Sequence, residues 1–341
     1  MKYIVVLPDH NYFLWMALVQ CTNFREVGIE EDVIFISCYF GEKPSDNLAK
    51  LANSPELKCK WYLYKDERPS KNYTSSMRLH LLYRFWCDHP EMATETICYI
   101  DPDVVFTRKP DWTKYNNDNT WYVSECRSYT DSKYIRSKGE DIFETMCDIV
   151  HVDKQKVIDH DADSGGVQYF MSNVSQDFWW KCYWDAEVMY KKTREMGDIK
   201  TAESRAHINK KLVELIQEKG RPLTPEEKKE FDVKNPLYHR LQEWATDLYV
   251  LHYNALYFNR PFKLDEHMSF NWAGWQRKDW ENHLFHHSAG VVKENGRDFC
   301  KITYQRSVFK KEITVSPESC SYPYLELIKR TEIMFPDLIW E

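Results

Sequence analysis

The chain of 341 residues has no apolar run long enough to cross a bilayer. Its longest, residues 13–19, falls far short of the ~18–20 residues that a membrane span needs. The amino terminus places one lysine, Lys2, before a short apolar run. It shows neither the h-region nor the small-residue cleavage site of a signal peptide. None of the ten cysteines, spread from Cys21 to Cys320, forms a CxxC pair or a short-range framework. Cys38, Cys59 and Cys98 lie in apolar runs, where a reduced cysteine packs as a small hydrophobe, so free thiols in a reducing compartment are expected. There is no internal repeat and no low-complexity tract. Positive charge is in deficit: the net charge of −7 excludes a polycation, so contact with nucleic acid would need a local basic patch. The two sequons, at Asn72 and Asn173, are about what chance provides.

What is present is an ordinary globular balance, with 43% hydrophobic and 29% charged residues, which excludes disorder as the main state. The length suits one large domain or two small ones. Aromatic content is the unusual quantity: 13 Trp, 22 Tyr and 17 Phe make up 15% of the chain. Most of these rings must fill a core. A surplus of Trp also suits a pocket for sugars or bases, because flat rings stack on both.

Strands and helices alternate through the first half. Residues 3–7, 33–38, 58–64 and 97–106 read as strands, the last broken by Asp101-Pro102-Asp103, and 121–124 reads as another. Met77, Leu81, Leu82 and Phe85 recur at helical spacing within 75–86. This pattern predicts an α/β fold with a mainly parallel sheet flanked by helices and a ligand crevice outside the carboxyl ends of its strands. Asp9, Asp66, Asp101 and Asp103 all fall at or just beyond strand ends.

The middle differs. Between 190 and 211 seven cations (Lys191, Lys192, Arg194, Lys200, Arg205, Lys210 and Lys211) stand against three anions (Glu195, Asp198 and Glu203), a local balance of +4. Ile208, Leu212, Leu215 and Ile216 then share one helical face, and Thr224-Pro225-Glu226-Glu227 is a helix start. Residues 190–236 are expected to form a helical insertion. Its charge is read either as a wet helical surface or as a contact for an anionic acceptor.

Two elements carry chemistry. Asp101 and Asp103 end an apolar strand two residues apart, where like charges resist joint ionisation unless a cation neutralises them. A hard divalent metal, Mg²⁺ or Mn²⁺, does so and keeps sites for phosphate oxygens. Far downstream stands His286-His287-Ser288-Ala289-Gly290-Val291-Val292-Lys293. An imidazole can complete such a ligand set, Gly290 lets backbone approach a phosphate, and Lys293 supplies a point charge for it.

A DxD strand followed by a small-residue turn and a late His-x-x-Gly-x-x-Lys resembles the metal-dependent nucleotide-sugar glycosyltransferases of the GT-A fold. In the retaining glycogenin-like group that late motif supplies the third metal ligand and a lysine on the diphosphate, matched here by His287, Gly290 and Lys293. In order and spacing the chain also resembles the plant hydroxyproline O-arabinosyltransferases and peptidyl-serine galactosyltransferases. The matching blocks are Tyr12-Phe-Leu-Trp15, Asp101-Pro-Asp103, Asp163-Ser-Gly-Gly-Val-Gln168, Trp244-Ala-Thr-Asp247-Leu-Tyr249 and Phe285-His-His-Ser-Ala-Gly290. They lie in short stretches over roughly 1–310. The family's helix acid is usually Glu, where this chain has the shorter Asp247. The plant enzymes also carry an amino-terminal Golgi anchor that this sequence does not show, so a cytoplasmic location without membrane contact is expected.

The resemblance implies a single GT-A, Rossmann-like catalytic domain over 1–310 and a carboxyl-terminal extension over 311–341. It implies a metal, Mn²⁺ or Mg²⁺, on Asp101, Asp103 and His287, and donor contacts at Ser164, Gly165, Gly166, Gly290 and Lys293, with Asp101 shared. Asp9 and Asp66 are candidates for the nucleoside, and Asp247 and Gln168 for the reacting sugar. Trp244, Trp272 and Trp275, with Lys191, Lys192 and Arg194, are candidates for the acceptor. The expected reaction moves a pentose or hexose, arabinose among them, from a UDP-sugar to a hydroxyl of a macromolecule, with retention. The leading acceptor is 5-hydroxymethylpyrimidine DNA, with hydroxyproline or serine of a polypeptide as the alternative. A non-catalytic nucleotide-sugar-binding module is the reading of another class. A metal-dependent phosphohydrolase would want further ligands clustered in sequence, and none is present.

Overall fold

The computed structural model of the chain describes residues 1–115 and 119–341. Its strands are β1 (Lys2–Pro8), β2 (Val33–Tyr39), β3 (Lys60–Lys65), β4 (Thr96–Ile100), β5 (Val104–Phe106), β6 (Trp121–Glu125), β7 (Gly165–Ser172), β8 (Phe262–Leu264), β9 (Phe270–Trp272) and β10 (Phe285–His287). The helices before β7 are α1 (Asn11–Glu26), α2 (Asp46–Ala52), α3 (Ser76–Asp88), α4 (Arg127–Thr130), α5 (Ser132–Arg136), α6 (Glu140–Val150) and α7 (Lys154–Asp159). After it come α8 (Gln176–Lys219), α9 (Pro225–Lys234), α10 (Thr246–Tyr257) and α11 (Tyr322–Met334).

Seven strands form the main sheet in the order β3-β2-β1-β4-β7-β6-β8. The pairs from β3 to β4 are parallel, as is β6 with β8, whereas β7 runs antiparallel to both of its neighbours. The fold is thus a mixed, mainly parallel α/β sheet flanked by helices. β1 and β2 are runs of Val, Ile, Leu and Phe because helices cover both faces of the sheet, so consecutive side chains are buried. A second sheet, β5-β10-β9, stands just past the carboxyl end of β4. There β10 pairs antiparallel with β5, with His287 opposite Val104.

α8 is one helix of 44 residues. Its first half buries Phe178, Trp179, Cys182, Tyr183 and Met189 and packs on α3 and α10. Beyond Gly197 none of its residues is buried, and Ile208, Leu212, Leu215 and Ile216 turn their half-buried side to one face. α9 starts with Thr224 as its cap in a reciprocal box with Glu227. α11, within 311–341, packs on α1 through the Thr22–Thr331 hydroxyl pair at 2.8 Å and the Arg330–Glu26 ion pair at 2.7 Å. The ten cysteines are free, nine of them buried. Among the described residues no helix is long and apolar enough to cross a membrane.

Candidate functional site

The turn that joins β4 to β5 carries Asp101 and Asp103, and α1 holds it by its backbone. The buried Gln20 amide donates to the carbonyls of Asp101 at 2.9 Å and Val104 at 2.7 Å. One helical turn on, Asn23 exchanges two hydrogen bonds of 2.8 Å with the backbone of Phe106. The register of β10 against β5 then sets His287 beside the turn: its Nε2 lies 3.1 Å from Asp103 Oδ2, and Ser288 N–H donates to the Asp103 carbonyl at 2.9 Å. Asp101, Asp103 and His287 each offer a ligand atom within 4.8 Å of the others. Two carboxylates and an imidazole suit a divalent cation, so these three residues can hold a metal ion.

Four further residues, Lys301, Arg78, Asp247 and Tyr73, complete the cluster. Lys301 contacts the Asp103 carboxylate, and Arg78 of α3 contacts Asp101 and Asp247 with separate guanidinium nitrogens. Tyr73 OH donates to Asp247 Oδ1 at 2.8 Å. Burial works against ionisation of Asp103, but His287 and Lys301 overcome it and hold its carboxyl well below the usual range. At Asp101 burial wins, helped by the Asp103 charge, and the carboxyl is pushed up despite Arg78.

The paired histidines divide between two environments because successive strand residues face opposite ways. His286 is fully buried, its Nδ1 lies 2.6 Å from Asn271 Oδ1, and its ring packs on Tyr324 and Trp280. His287 stacks on Trp272 at 5.2 Å and 19°. Its Nδ1 is buried with no hydrogen-bond partner among the described residues, so the indole holds the ring in place. Gly290 has φ +87°, and a Cβ there would lie 3.2 Å from the Trp272 ring, so glycine keeps that indole seated. Lys293 is exposed and makes no ion pair among the described residues.

No family model and no curated protein matches the chain. Among solved structures it is similar to the bifunctional glycosyltransferase WbbM (9% identity, TM-score 0.44, 98% of this chain and 50% of that one), so the chain spans about half the length of WbbM. It is similar to the galactosyltransferase LgtC in complex with donor and acceptor sugar analogues (11%, 0.35, 86% and 88%). It is also similar to mouse xyloside xylosyltransferase 1 (11%, 0.36, 84% and 96%). At these scores the likeness assigns no function to the chain.

The remaining candidates from the sequence are placed as follows. Both Asp9 carboxylate oxygens accept from Ser45, which caps α2, its backbone N–H lying at 2.7 Å. Asp66 is buried between Arg68 at 2.9 Å and Lys71 at 3.0 Å. Burial opposes its charge, but these cations lower its pKa to about 2. Ser164 Oγ donates to Thr130 Oγ1 at 2.8 Å. Gly165 and Gly166 lie in β7 rather than in an open turn, and a Cβ at Gly165 would stand 2.3 Å from the Ser124 carbonyl. The register against β6 then slips, leaving Val167 at φ +75° and Gln168 in a bulge. The Gln168 side chain is buried with both amide atoms unpartnered among the described residues. Trp244 is 60% exposed, Trp275 41% exposed and Trp272 half-buried. Lys191, Lys192 and Arg194 are exposed on α8, with Lys192 3.7 Å from Glu195 and Arg194 donating to Tyr190 OH at 3.0 Å.

Sequence reasoning missed Arg78, Lys301, Tyr73 and Gln20. A buried Asp247 called for a cation, but nothing local to it says which. A loop held from α8 explains Tyr73: the buried Glu187 accepts from Ser70 Oγ and Asn72 N–H, each at 2.6 Å, and from Ser76 Oγ. A cleft of about 440 Å³ near α1 and α11, lined by Asn23, Trp280 and Tyr322, contains none of Asp101, Asp103 and His287.

Proposed function

We propose that the chain is a retaining glycosyltransferase that uses Mn²⁺ or Mg²⁺ to transfer a sugar from a UDP-sugar to the hydroxymethyl group of a 5-hydroxymethylpyrimidine in DNA. The sugar is a pentose or hexose, with arabinose among the candidates. The observation that carries this reading is the convergence of Asp101, Asp103 and His287 at the carboxyl end of β4, with Lys301 and Arg78 closing on the same carboxylates. The ion, when bound, neutralises a leaving diphosphate.

The chain's own residues supply the rest. Arg78 and Tyr73 orient Asp247, which offers fixed negative charge to an oxocarbenium-like centre. Lys301 and Lys293 supply cations for the diphosphate. The DNA reading draws support from α8, where Lys191, Arg205 and Lys210 are exposed and make no ion pair among the described residues.

The test offers UDP-arabinose, UDP-glucose and UDP-galactose with hydroxymethylcytosine DNA, unmodified DNA and a hydroxyproline peptide, read by mass shift. Transfer to hydroxymethylated DNA, lost in EDTA and in Asp103→Ala, is expected. Transfer to the peptide alone discards the DNA acceptor, and full activity in EDTA discards the metal.

A further inference from the structure

Two of the three residues that can hold the metal are poorly accessible: Asp103 and His287 are 6% and 7% exposed. A base stacked inside a duplex cannot bring its 5-substituent to such a site without leaving the stack. Beside the site lies a cleft of about 570 Å³, within the ~300–1,000 Å³ range of small-molecule pockets. Tyr73, Tyr190, Gln242 and Trp244 are among its walls.

Four observations say what this cleft takes. First, it borders the reacting centre: Tyr73 forms the wall between the cleft and Asp247, and its hydroxyl reaches both Asp247 Oδ1 and the Trp244 carbonyl. Second, it offers one open π-face: Tyr190 and the buried Tyr73 stack on each other at 4.9 Å and 26°, whereas the Trp244 indole is left 60% exposed beside Tyr129 at 5.6 Å. Third, Gln242 Oε1 is shielded from solvent with no partner among the described residues, and a primary amide can both donate to and accept from a base edge. Fourth, the rim carries cations for a phosphate backbone, because Lys191 and Arg194 flank Tyr190 on the exposed side of α8. Arg240, by contrast, is neutralised by Asp198 and Glu243 and belongs to the frame of the cleft.

We infer that this cleft receives a single pyrimidine turned out of the DNA helix, with its ring on Trp244, its polar edge at Gln242 and its hydroxymethyl group directed toward Asp247. The inference rests on the DNA reading above and adds where and in what state the acceptor base is held. Stacking is tolerant of sequence, so the cleft selects an extruded base by its flat face while Lys191 and Arg194 hold the flanking phosphates.

The experiment uses the full chain and duplexes with one 5-hydroxymethylcytosine, a 2-aminopurine beside it, and either a matched or a mismatched base opposite. Binding of the wild-type protein should raise 2-aminopurine fluorescence, and the mismatch should tighten binding, because the base is then cheaper to unstack. Trp244→Ala should weaken binding on the order of 5- to 100-fold and abolish the fluorescence rise, whereas Trp244→Phe should keep most of both. A neutralised pair, Lys191→Ala with Arg194→Ala, should instead flatten the dependence of affinity on salt. Circular dichroism and thermal melting check that each variant is folded. Sugar transfer to DNA with no fluorescence change and no mismatch effect would overturn the inference while leaving the DNA reading intact. Absence of transfer to any DNA would overturn both.

Discussion

Arg78 contacts Asp247 with one guanidinium nitrogen and Asp101 with another, so a single cation of α3 ties the turn after β4 to the start of α10. Both carboxylates depend on it, and a lysine could not replace the fork. Arg78→Met should therefore cost about 3–5 kcal/mol of stability, the usual result of leaving buried carboxylates unpaired. Arg78→Lys should cost less. In urea titrations Asp247→Asn should recover part of the loss in the Arg78→Met background. A variant within about 1 kcal/mol of wild type would show that the bridge does not form.

His286 and His287 should respond differently to the same change. On the function proposed above, His287→Ala should raise the metal concentration needed for UDP-sugar turnover by at least about tenfold, since it removes one of the three residues that can hold the ion. His286→Ala should leave that requirement near the wild-type value and lower stability by about 1–3 kcal/mol, because its hydrogen bond to Asn271 and its packing on Tyr324 are lost. A shift in metal requirement for His286 alone would reverse the assignment.

Lys301 contacts Asp103, one of the three residues that can hold a metal, so on the proposed function it competes with the ion. Without nucleotide, Lys301→Met should bind Mn²⁺ about tenfold more tightly, as expected from losing a charged hydrogen bond of ~1.5 kcal/mol, and should gain more thermal stability on adding the ion. Titration of free Mn²⁺ by electron paramagnetic resonance measures this directly. Unchanged or weaker binding would mean that Lys301 does not occupy the metal's position.

His252 gives the protein an acid-sensitive core. It is buried with neither ring nitrogen partnered among the described residues, stacks on Phe262 at 4.9 Å, and has its pKa lowered by burial to about 3. Unfolding returns it to about 6.5, so between these values the unfolded chain binds the extra proton. Its contribution to stability is complete above about pH 6.5 and falls by about 1.4 kcal/mol per pH unit as the pH drops toward 3. His252→Gln should reduce that slope in denaturant titrations between pH 6 and 4. An unchanged slope would show that His252 is not the group responsible.

Much of the scaffold was legible because its signals are local. The runs at β1 and β2, the helical spacing of Met77 to Phe85, the Thr224 helix start and the aspartates just past strand ends are all written within a few residues. Gly165 and Gly166 show the limit of such reading. Their small size suggests an open loop, yet they are small because β6 and Leu248 press on them within a packed strand.

The sequence by itself determined that an apolar strand ends in two carboxylates and that a histidine pair recurs far downstream, because composition and period decide where chain elements start and stop. The His-x-x-Gly-x-x-Lys spacing already pointed to His287, but only the tertiary structure decided that its ring stands at Asp103, that Lys301 closes on that carboxylate, and that Arg78 joins Asp101 to Asp247. Those pairings span 23 to 198 residues of chain. They are set by the pairing of β10 with β5 and by the packing of α3 against the sheet, and no local pattern encodes which distant partner a buried charge will meet.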